Sequence, residues 1–428
     1  MTDKFFKLLE KITPVKWHWV FNHDGVKRYF ANTGWMFSGQ MFSLLISFFI
    51  GAWIARYLGP GNYGILSYSI AFAGLFGFIS SLGVNGILNR ELVKTPEKRD
   101  ELLGTAFRLK LLGGAIAICL AVASVLIFQA DPVIKILVSL FSFSFILQSI
   151  NVISTYFNAE VKSKNNVKAV FIATIISSIL KIIIILLGKG IIWLIIIMAL
   201  DSLWQGIGFI KAYNNYGLKI KNWVFNKDLA KIILKNSWPL MLASAAGFIY
   251  LKIDQVIIGQ ILGNYKVGIY AAAVKLVEIW YFIPGIICAS LFPAIINAKK
   301  TNVAVYKNRL KNFYILMFVI PTLMAIFITL LARPIIIIIY GMDYIESINI
   351  LRIYIWSSVG LFIGMAMTQY LMVENLVKTI FLLNFSAMVI NIILNLLFIP
   401  FFGIIGSACA TLISYLIIPV GVWIIKKS

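Results

Sequence analysis

The chain has 428 residues, 61% of them hydrophobic and only 13% charged, yet its formal net charge is +22. A water-soluble domain is roughly 45–50% apolar, so this composition excludes an ordinary soluble enzyme. The apolar residues form continuous runs of about 20, the length of a membrane-spanning helix, rather than alternating, which excludes a β-barrel as well.

In chain order, residues 1–30 form a polar, basic N-terminal segment. Within it TDKFFKLLEKITP (2–14) places Phe5, Leu8, Leu9 and Ile12 at i, i+3, i+4 and i+7, with Lys4, Lys7 and Lys11 among the polar positions. That is the pattern of a helix lying on a membrane surface, with a partner-binding helix as the alternative. His18 and His23 lie nearby with no third ligand, so they read as solvated. No short apolar core with a small-residue cleavage site follows, and no cleavable signal peptide is expected. The spacing then predicts twelve crossings, near 31–56, 63–88, 104–127, 133–156, 169–187, 191–210, 237–259, 268–296, 312–331, 349–373, 379–399 and 403–425.

The predicted fold class is therefore an all-α polytopic membrane protein of two six-helix lobes, 31–215 and 237–428. A linker, 216–236, joins them. Its stretch NKDLAKIILKN (226–236) is a second amphipathic surface helix, with Leu229, Ile232 and Ile233 on one face and Asn226 as N-cap. RPIIIIIYG (333–341) is too short to cross and is expected to be re-entrant or interfacial.

With the N-terminus assigned to the cytoplasm, 27 of the 38 Lys and Arg fall on that segment, the inner loops and the C-terminus. Only five (Arg56, Lys135, Lys189, Lys266 and Arg333) fall on outer loops. This obeys the positive-inside rule and predicts both termini in the cytoplasm. The charge is thus a topology signal, and a nucleic-acid partner is excluded. Cys119, Cys288 and Cys409 lie far apart in apolar runs without a CxxC pair, so they act as small hydrophobes. No P-loop, G-x-S-x-G or HExxH occurs. Neither a catalytic centre nor a cofactor site is expected.

The two halves repeat at an offset of 204. Asn32 falls on Asn236, Leu58-Gly59 on Leu262-Gly263 and Gly64-Ile65 on Gly268-Ile269. Six crossings per copy put both in the same orientation, related by a pseudo-two-fold axis along the membrane normal, with a cavity between lobes that rock for alternating access.

Charges at bilayer depth are costly and usually face a cavity or a partner. The set here is Arg56, Arg90, Glu91, Lys181, Asp201, Lys252, Asp254, Lys275, Glu278, Arg352 and Glu374. Arg90, Glu91 and Glu374 sit near inner ends and can snorkel; Arg352 opens the tenth crossing. Lys252 and Asp254, two apart, point to different faces, whereas Lys275 and Glu278, three apart, can neutralise each other. Asp201 can meet Lys181 across helices. Arg56, Lys252 and Lys275 would then leave positive charge for an anionic substrate. Asp201, Asp254 and Glu278 are the candidates for ion coupling. Gln40, Asn85, Asn89, Gln148, Asn151, Gln205, Gln255 and Gln260 add amides suited to hydroxyl-rich ligands, or to interhelical hydrogen bonds.

The stretches ARYLGPGNYGILSYS (55–69), GVNGILNREL (83–92), DQVIIGQILGNYKVGIYAAAVKLVE (254–278), LFP (291–293) and NIILNLLFIPFFGIIGSACATLISY (391–415) together resemble the Wzx-type polysaccharide-repeat flippases. These belong to the multidrug/oligosaccharidyl-lipid/polysaccharide exporter superfamily. The resemblance covers nearly everything from about residue 30. It implies a twelve-helix, two-lobed transporter in the bacterial inner membrane. Its central cationic cavity would turn an undecaprenyl-diphosphate-linked oligosaccharide, of O-antigen or capsule type, from the cytoplasmic to the periplasmic leaflet. It also implies an H⁺ or Na⁺ counter-ion, contact with membrane lipids, and hand-over to a glycan polymerase and chain-length proteins. Arg56, Lys252 and Lys275 match, loosely, the places where such proteins put cavity charge; Arg90, Lys181 and Arg352 extend that set. Rival readings are an ion-coupled multidrug or organic-cation antiporter, which wants free carboxylates in the cavity, a membrane enzyme of glycan synthesis, which wants large outer loops, and a structural scaffold.

Overall fold

The computed structural model describes residues 24–374 and 376–427. The stretch 2–14, His18 and His23 lie outside the described residues. In chain order the helices are α1 (Asp24–Gly74), α2 (Gly77–Ser81), α3 (Val84–Lys94), α4 (Arg99–Phe128), α5 (Pro132–Ser142), α6 (Ser144–Leu147), α7 (Val152–Ala159), α8 (Ser163–Leu186) and α9 (Ile191–Asn214) in the first half. In the second half they are α10 (Lys227–Leu262), α11 (Asn264–Glu278), α12 (Phe282–Thr301), α13 (Val303–Ile339), α14 (Ser347–Tyr354), α15 (Ser357–Val373), α16 (Val377–Tyr415) and α17 (Ile417–Lys427).

Among the described residues, ten helical stretches are long and apolar enough to cross a membrane. Two of them turn back on a glycine: α1 at Gly59 and α16 at Gly403. They therefore make twelve crossings, six per half. The face carrying the reversals at Gly59, Gly263 and Gly403 is called here the hairpin face, and the opposite one the linker face.

The reversals show the duplication in backbone torsions. Gly59 has φ 68 and ψ 169, and its counterpart 204 residues on, Gly263, has φ 84 and ψ 169. That region of torsion space is open essentially to glycine alone. Just beyond, the copies meet. A Cβ on Gly64 would strike the backbone carbonyl of Asn264, and one on Gly268 the carbonyl of Pro60. Pro60 and Asn264 are themselves 204 apart. Such reciprocal pairing, in which i touches j and j′ touches i′, is what an isologous two-fold contact produces, so the pseudo-two-fold axis passes between Gly64 and Gly268.

The apolar core reports the lobe arrangement. On the hairpin side it is continuous through both lobes, from Ala55 and Tyr68 to Tyr270, Tyr344 and Ile350. On the linker side it splits. One cluster around Leu103, Phe157 and Tyr213 belongs to the first lobe, and another around Phe313, Met317 and Phe362 to the second. The second and seventh crossings stay in touch along their length through small residues, Gly259 against Tyr68, Gly77 against Phe248 and Gly83 against Ser237 and Met241, the usual device where lipid offers no hydrophobic drive. The molecule is thus sealed at the hairpin face and divided towards the linker face.

Two expectations change. RPIIIIIYG is not a separate re-entrant piece: Arg333 to Ile339 form the end of the 37-residue α13. Pro321 and Pro334 are accommodated inside that helix, as neighbouring helices in a membrane allow. The stretch 226–236 is not a separate helix: from Lys227 it is the start of the 36-residue α10. Leu229, Ala230 and Ile233 pack into the first lobe's linker-side cluster, leaving Ile232 exposed. Asn226 is the N-cap, accepting from the amides of Asp228 (3.0 Å) and Leu229 (3.1 Å).

Candidate transport cavity

Beneath the hairpin-face seal lies a cavity of about 330 Å³, lined by the first, second, fifth, sixth, seventh and eighth crossings. Lys252 and Lys275 lie 11 and 12 residues from Gly263. At 1.5 Å per residue this is about 16–18 Å, near the middle of a 30 Å hydrocarbon core. Five charged side chains line it: Lys181, Asp201, Lys252, Lys275 and Glu278. Lys181 donates to Asp201 at 3.0 Å, and Ser177 Oγ donates to the same carboxylate. Lys252 donates to Glu278 at 3.0 Å. Lys275 has no carboxylate within ion-pairing distance among the described residues. The cavity therefore holds three cations against two anions.

These charges are not part of the duplicated framework. At the positions matching Lys252, Lys275 and Glu278 the first half has Phe48, Ala71 and Gly74. A charge that merely held the repeat together would be wanted in both copies.

The expected pairing of Lys275 with Glu278 is corrected. Both sit on α11, but Glu278 pairs with Lys252 on α10, because the two helices, joined at Gly263, pack side by side. Asp201 meets Lys181 as expected. Asp254 is not in the cavity. Two residues from Lys252, it turns into the second lobe, where Tyr270 Oη donates to it at 2.6 Å and the amide of Gln255 at 2.7 Å. Nearby, Ser407 Oγ donates to Asn395 Oδ1 at 2.6 Å, and Asn395 Nδ2 to the Asn391 carbonyl at 2.9 Å.

The three arginines also lie outside the cavity. Arg56 is exposed and donates to the Ile337 carbonyl at 3.3 Å. It thereby joins the seal with Tyr344 Oη, which donates to the Ala55 carbonyl at 2.7 Å. Its position immediately before the reversal turns it outward rather than back into the cavity. Arg90 is exposed and paired with Glu91 at 2.9 Å, and Arg352 is exposed near the hairpin face.

A second polar pocket, of about 500 Å³, lies in the linker half of the first lobe and shares Gln205 with the cavity. Lys110 stands behind it, buried, donating to Asn85 at 3.2 Å. Sequence reasoning passed over Lys110. The signal was a lysine inside the apolar run of the third crossing, obscured because it is two residues from Arg108 and reads as snorkelling. Among the described residues no group of three His, Cys, Asp or Glu is placed to hold a metal ion.

Two six-helix lobes around a charged mid-membrane cavity, sealed on one face, form the two-lobed architecture found in membrane transporters. The chain belongs to the family described as "Polysaccharide biosynthesis protein", whose model matches residues 29–299. No curated protein matches it. Among solved structures it resembles the lipid II flippase MurJ in an inward closed conformation, at TM-score 0.70 and 19% identity over 91% of this chain and 87% of that one. It resembles a multidrug resistance MATE transporter in its inward-facing conformation at TM-score 0.70 and 15% identity, over 89% and 93% of the two chains. A MOP superfamily transporter from Pyrococcus furiosus, whose binding pocket is described as reversed in polarity, follows at TM-score 0.62 and 15% identity, over 93% and 94%.

Proposed function

We propose that the protein is a flippase that moves undecaprenyl-diphosphate-linked oligosaccharide repeat units, of O-antigen or capsule type, across the bacterial inner membrane by alternating access. The observation that carries this reading is the charge balance of the cavity: each carboxylate is held by its own lysine and Lys275 is left over. An unpaired cation at mid-membrane is costly unless an anion visits it. Phosphate oxygens are strong acceptors for such a donor. Membership of a polysaccharide biosynthesis family and the fold shared with a lipid II flippase support a lipid-linked, sugar-bearing substrate.

The positive-inside distribution makes the linker face cytoplasmic, with both termini on that side. The divided side then faces the cytoplasm, where the substrate is loaded. Lys275 holds the diphosphate, and Lys252 and Lys181 join it as their carboxylates exchange partners. Arg56, at the seal, meets the substrate only when the hairpin face opens. Arg90, beside the linker-face mouth, and Arg352, near the hairpin face, act at entry and release. Coupling to H⁺ or Na⁺ runs through Glu278 and Asp201 in the cavity, or through Asp254 in the second lobe. The released unit passes to a glycan polymerase and its chain-length proteins. An organic-cation antiporter would require a carboxylate free in the cavity, and both there are paired.

The test is complementation of a bacterium lacking its own flippase. Restored surface glycan supports the reading; a correctly inserted protein that restores none, against several glycan types, overturns it.

A further inference from the structure

The pocket in the linker half of the first lobe has a donor pattern that the cavity does not explain. It is lined by Asn85 and Asn89 from α3, Asn151 at the start of α7, Ser154 and Asn158 within α7, and Gln205 from α9. Five amides converge on one space.

Two of these amides are held in a fixed sense. Lys110 Nζ donates to Asn85 Oδ1 at 3.2 Å. Asn166 Nδ2 donates to Asn158 Oδ1 at 2.8 Å, and Ser163 Oγ donates to the same oxygen at 3.1 Å. With their oxygens engaged from behind, Asn85 and Asn158 keep their NH₂ groups for the pocket, and neither nitrogen has a partner among the described residues. Asn151 supplies the complement: its Oδ1 is buried and accepts nothing. Donors of fixed sense together with a free acceptor suit a ligand whose groups both donate and accept, which is the character of vicinal sugar hydroxyls. The volume is within the range of sites that enclose small organic ligands. Gln205 lines both this pocket and the charged cavity, so the two are neighbours.

From this we infer that the Asn85–Asn151–Asn158 pocket is a sugar-binding subsite, in which a ring of the substrate's oligosaccharide is held while its diphosphate occupies the cavity. Lys110 is a positioning residue: buried behind Asn85, it fixes which end of that amide faces the sugar. The inference rests on the flippase reading and adds where the glycan sits.

Asn85→Asp and Asn158→Asp test it. Each keeps the oxygen that accepts from Lys110, or from Ser163 and Asn166, and replaces the NH₂ facing the pocket by a charged oxygen that can only accept. Binding to the purified full-length protein in lipid nanodiscs is measured with two probes: undecaprenyl diphosphate without sugar, and the lipid-linked repeat unit extracted from the native host. The native protein should bind the glycolipid more tightly. Each variant should lose about tenfold or more for the glycolipid and less than twofold for undecaprenyl diphosphate, with unchanged thermal stability. The diphosphate of the sugar-free probe carries at least as much negative charge as that of the glycolipid, so long-range repulsion from the new carboxylate would weaken it no less. Lys110→Met should show the same selective loss. If the native protein binds both probes and the variants weaken neither, or weaken both equally, the subsite is overturned while the flippase reading stands. If the native protein binds neither probe, the flippase reading fails and the subsite with it.

Discussion

Lys252 and Lys275 carry the same charge at the same depth, but their surroundings set different consequences for removing them. Taking Lys252 away strands Glu278, and an uncompensated carboxylate in a broken buried pair costs about 3 kcal/mol, at the lower end of the usual range because water reaches the cavity. Taking Lys275 away strands nothing. Lys252→Met is therefore expected to lower thermal stability in detergent, and the double variant Lys252→Met with Glu278→Gln to recover most of it. Lys275→Met should be at least as stable as the native protein yet lower surface glycan about tenfold or more. A Lys275→Met protein that exports normally would remove the basis for an anionic site. Asp254 belongs to another compartment: in proteoliposomes, Asp254→Asn should abolish any stimulation by an H⁺ or Na⁺ gradient without changing affinity for undecaprenyl diphosphate, and an unaltered gradient response would exclude it from coupling. That charges lay inside the membrane was readable in the sequence, whereas the pair Lys181–Asp201 was only one option across helices until the fold set it. The partner of Glu278 was not readable. Spacing of three along α11 permits a bond to Lys275, but the rotation of α10 against α11 presents Lys252 instead, and rotation is a property of packing.

At the scale of elements, the seal depends on two glycines from the two copies touching across the pseudo-two-fold axis. A methyl group at Gly64 or Gly268 overlaps backbone carbonyls that cannot move without shifting a helix, and overpacking of this kind costs about 1–3 kcal/mol. The whole cost falls on the hairpin-closed state. Gly64→Ala and Gly268→Ala are thus expected to have similar effects on each other's face and to shift the population toward an opened hairpin face. Spin labels at Asn62 and Tyr265, with the three native cysteines replaced, should report longer and broader distances in either variant. Unchanged distances would mean that the seal does not depend on this contact. Gly59→Ala and Gly263→Ala act differently: they force a side chain into glycine-only torsions at a cost of about 1–3 kcal/mol each and should reduce the yield of folded protein. The sequence showed the repeat L-G-x4-G-I and its tight reversal. It did not show that the second glycine of each copy meets its own counterpart, because a repeat gives symmetry without giving the distance between copies.

For the molecule as a whole, the linker face is expected to be cytoplasmic. Reporter fusions after Lys219 and Lys300 should read as cytoplasmic, and after Gly61 and Asn264 as periplasmic; a periplasmic signal at Lys219 would falsify the orientation. What the sequence determined by itself is what depends on one dimension. Hydropathy along the chain and the bilayer's thickness set a membrane protein of twelve crossings, the loop charges favoured one orientation, and the duplicated glycine motif set the two lobes. The boundaries of α10 and α13 were misread because a helix continues past the hydrocarbon edge wherever neighbouring helices pair with it, and no apolar run marks that. Only the tertiary structure decided which polar groups share a space. It drew Lys181, Asp201, Lys252, Lys275 and Glu278 into one cavity, sent Asp254 into the second lobe's core and Arg56 into the seal, and set Lys110 behind an amide pocket. Each of these outcomes depends on the angle at which a helix face meets its neighbours, and residues a hundred or more positions apart settle that angle by packing.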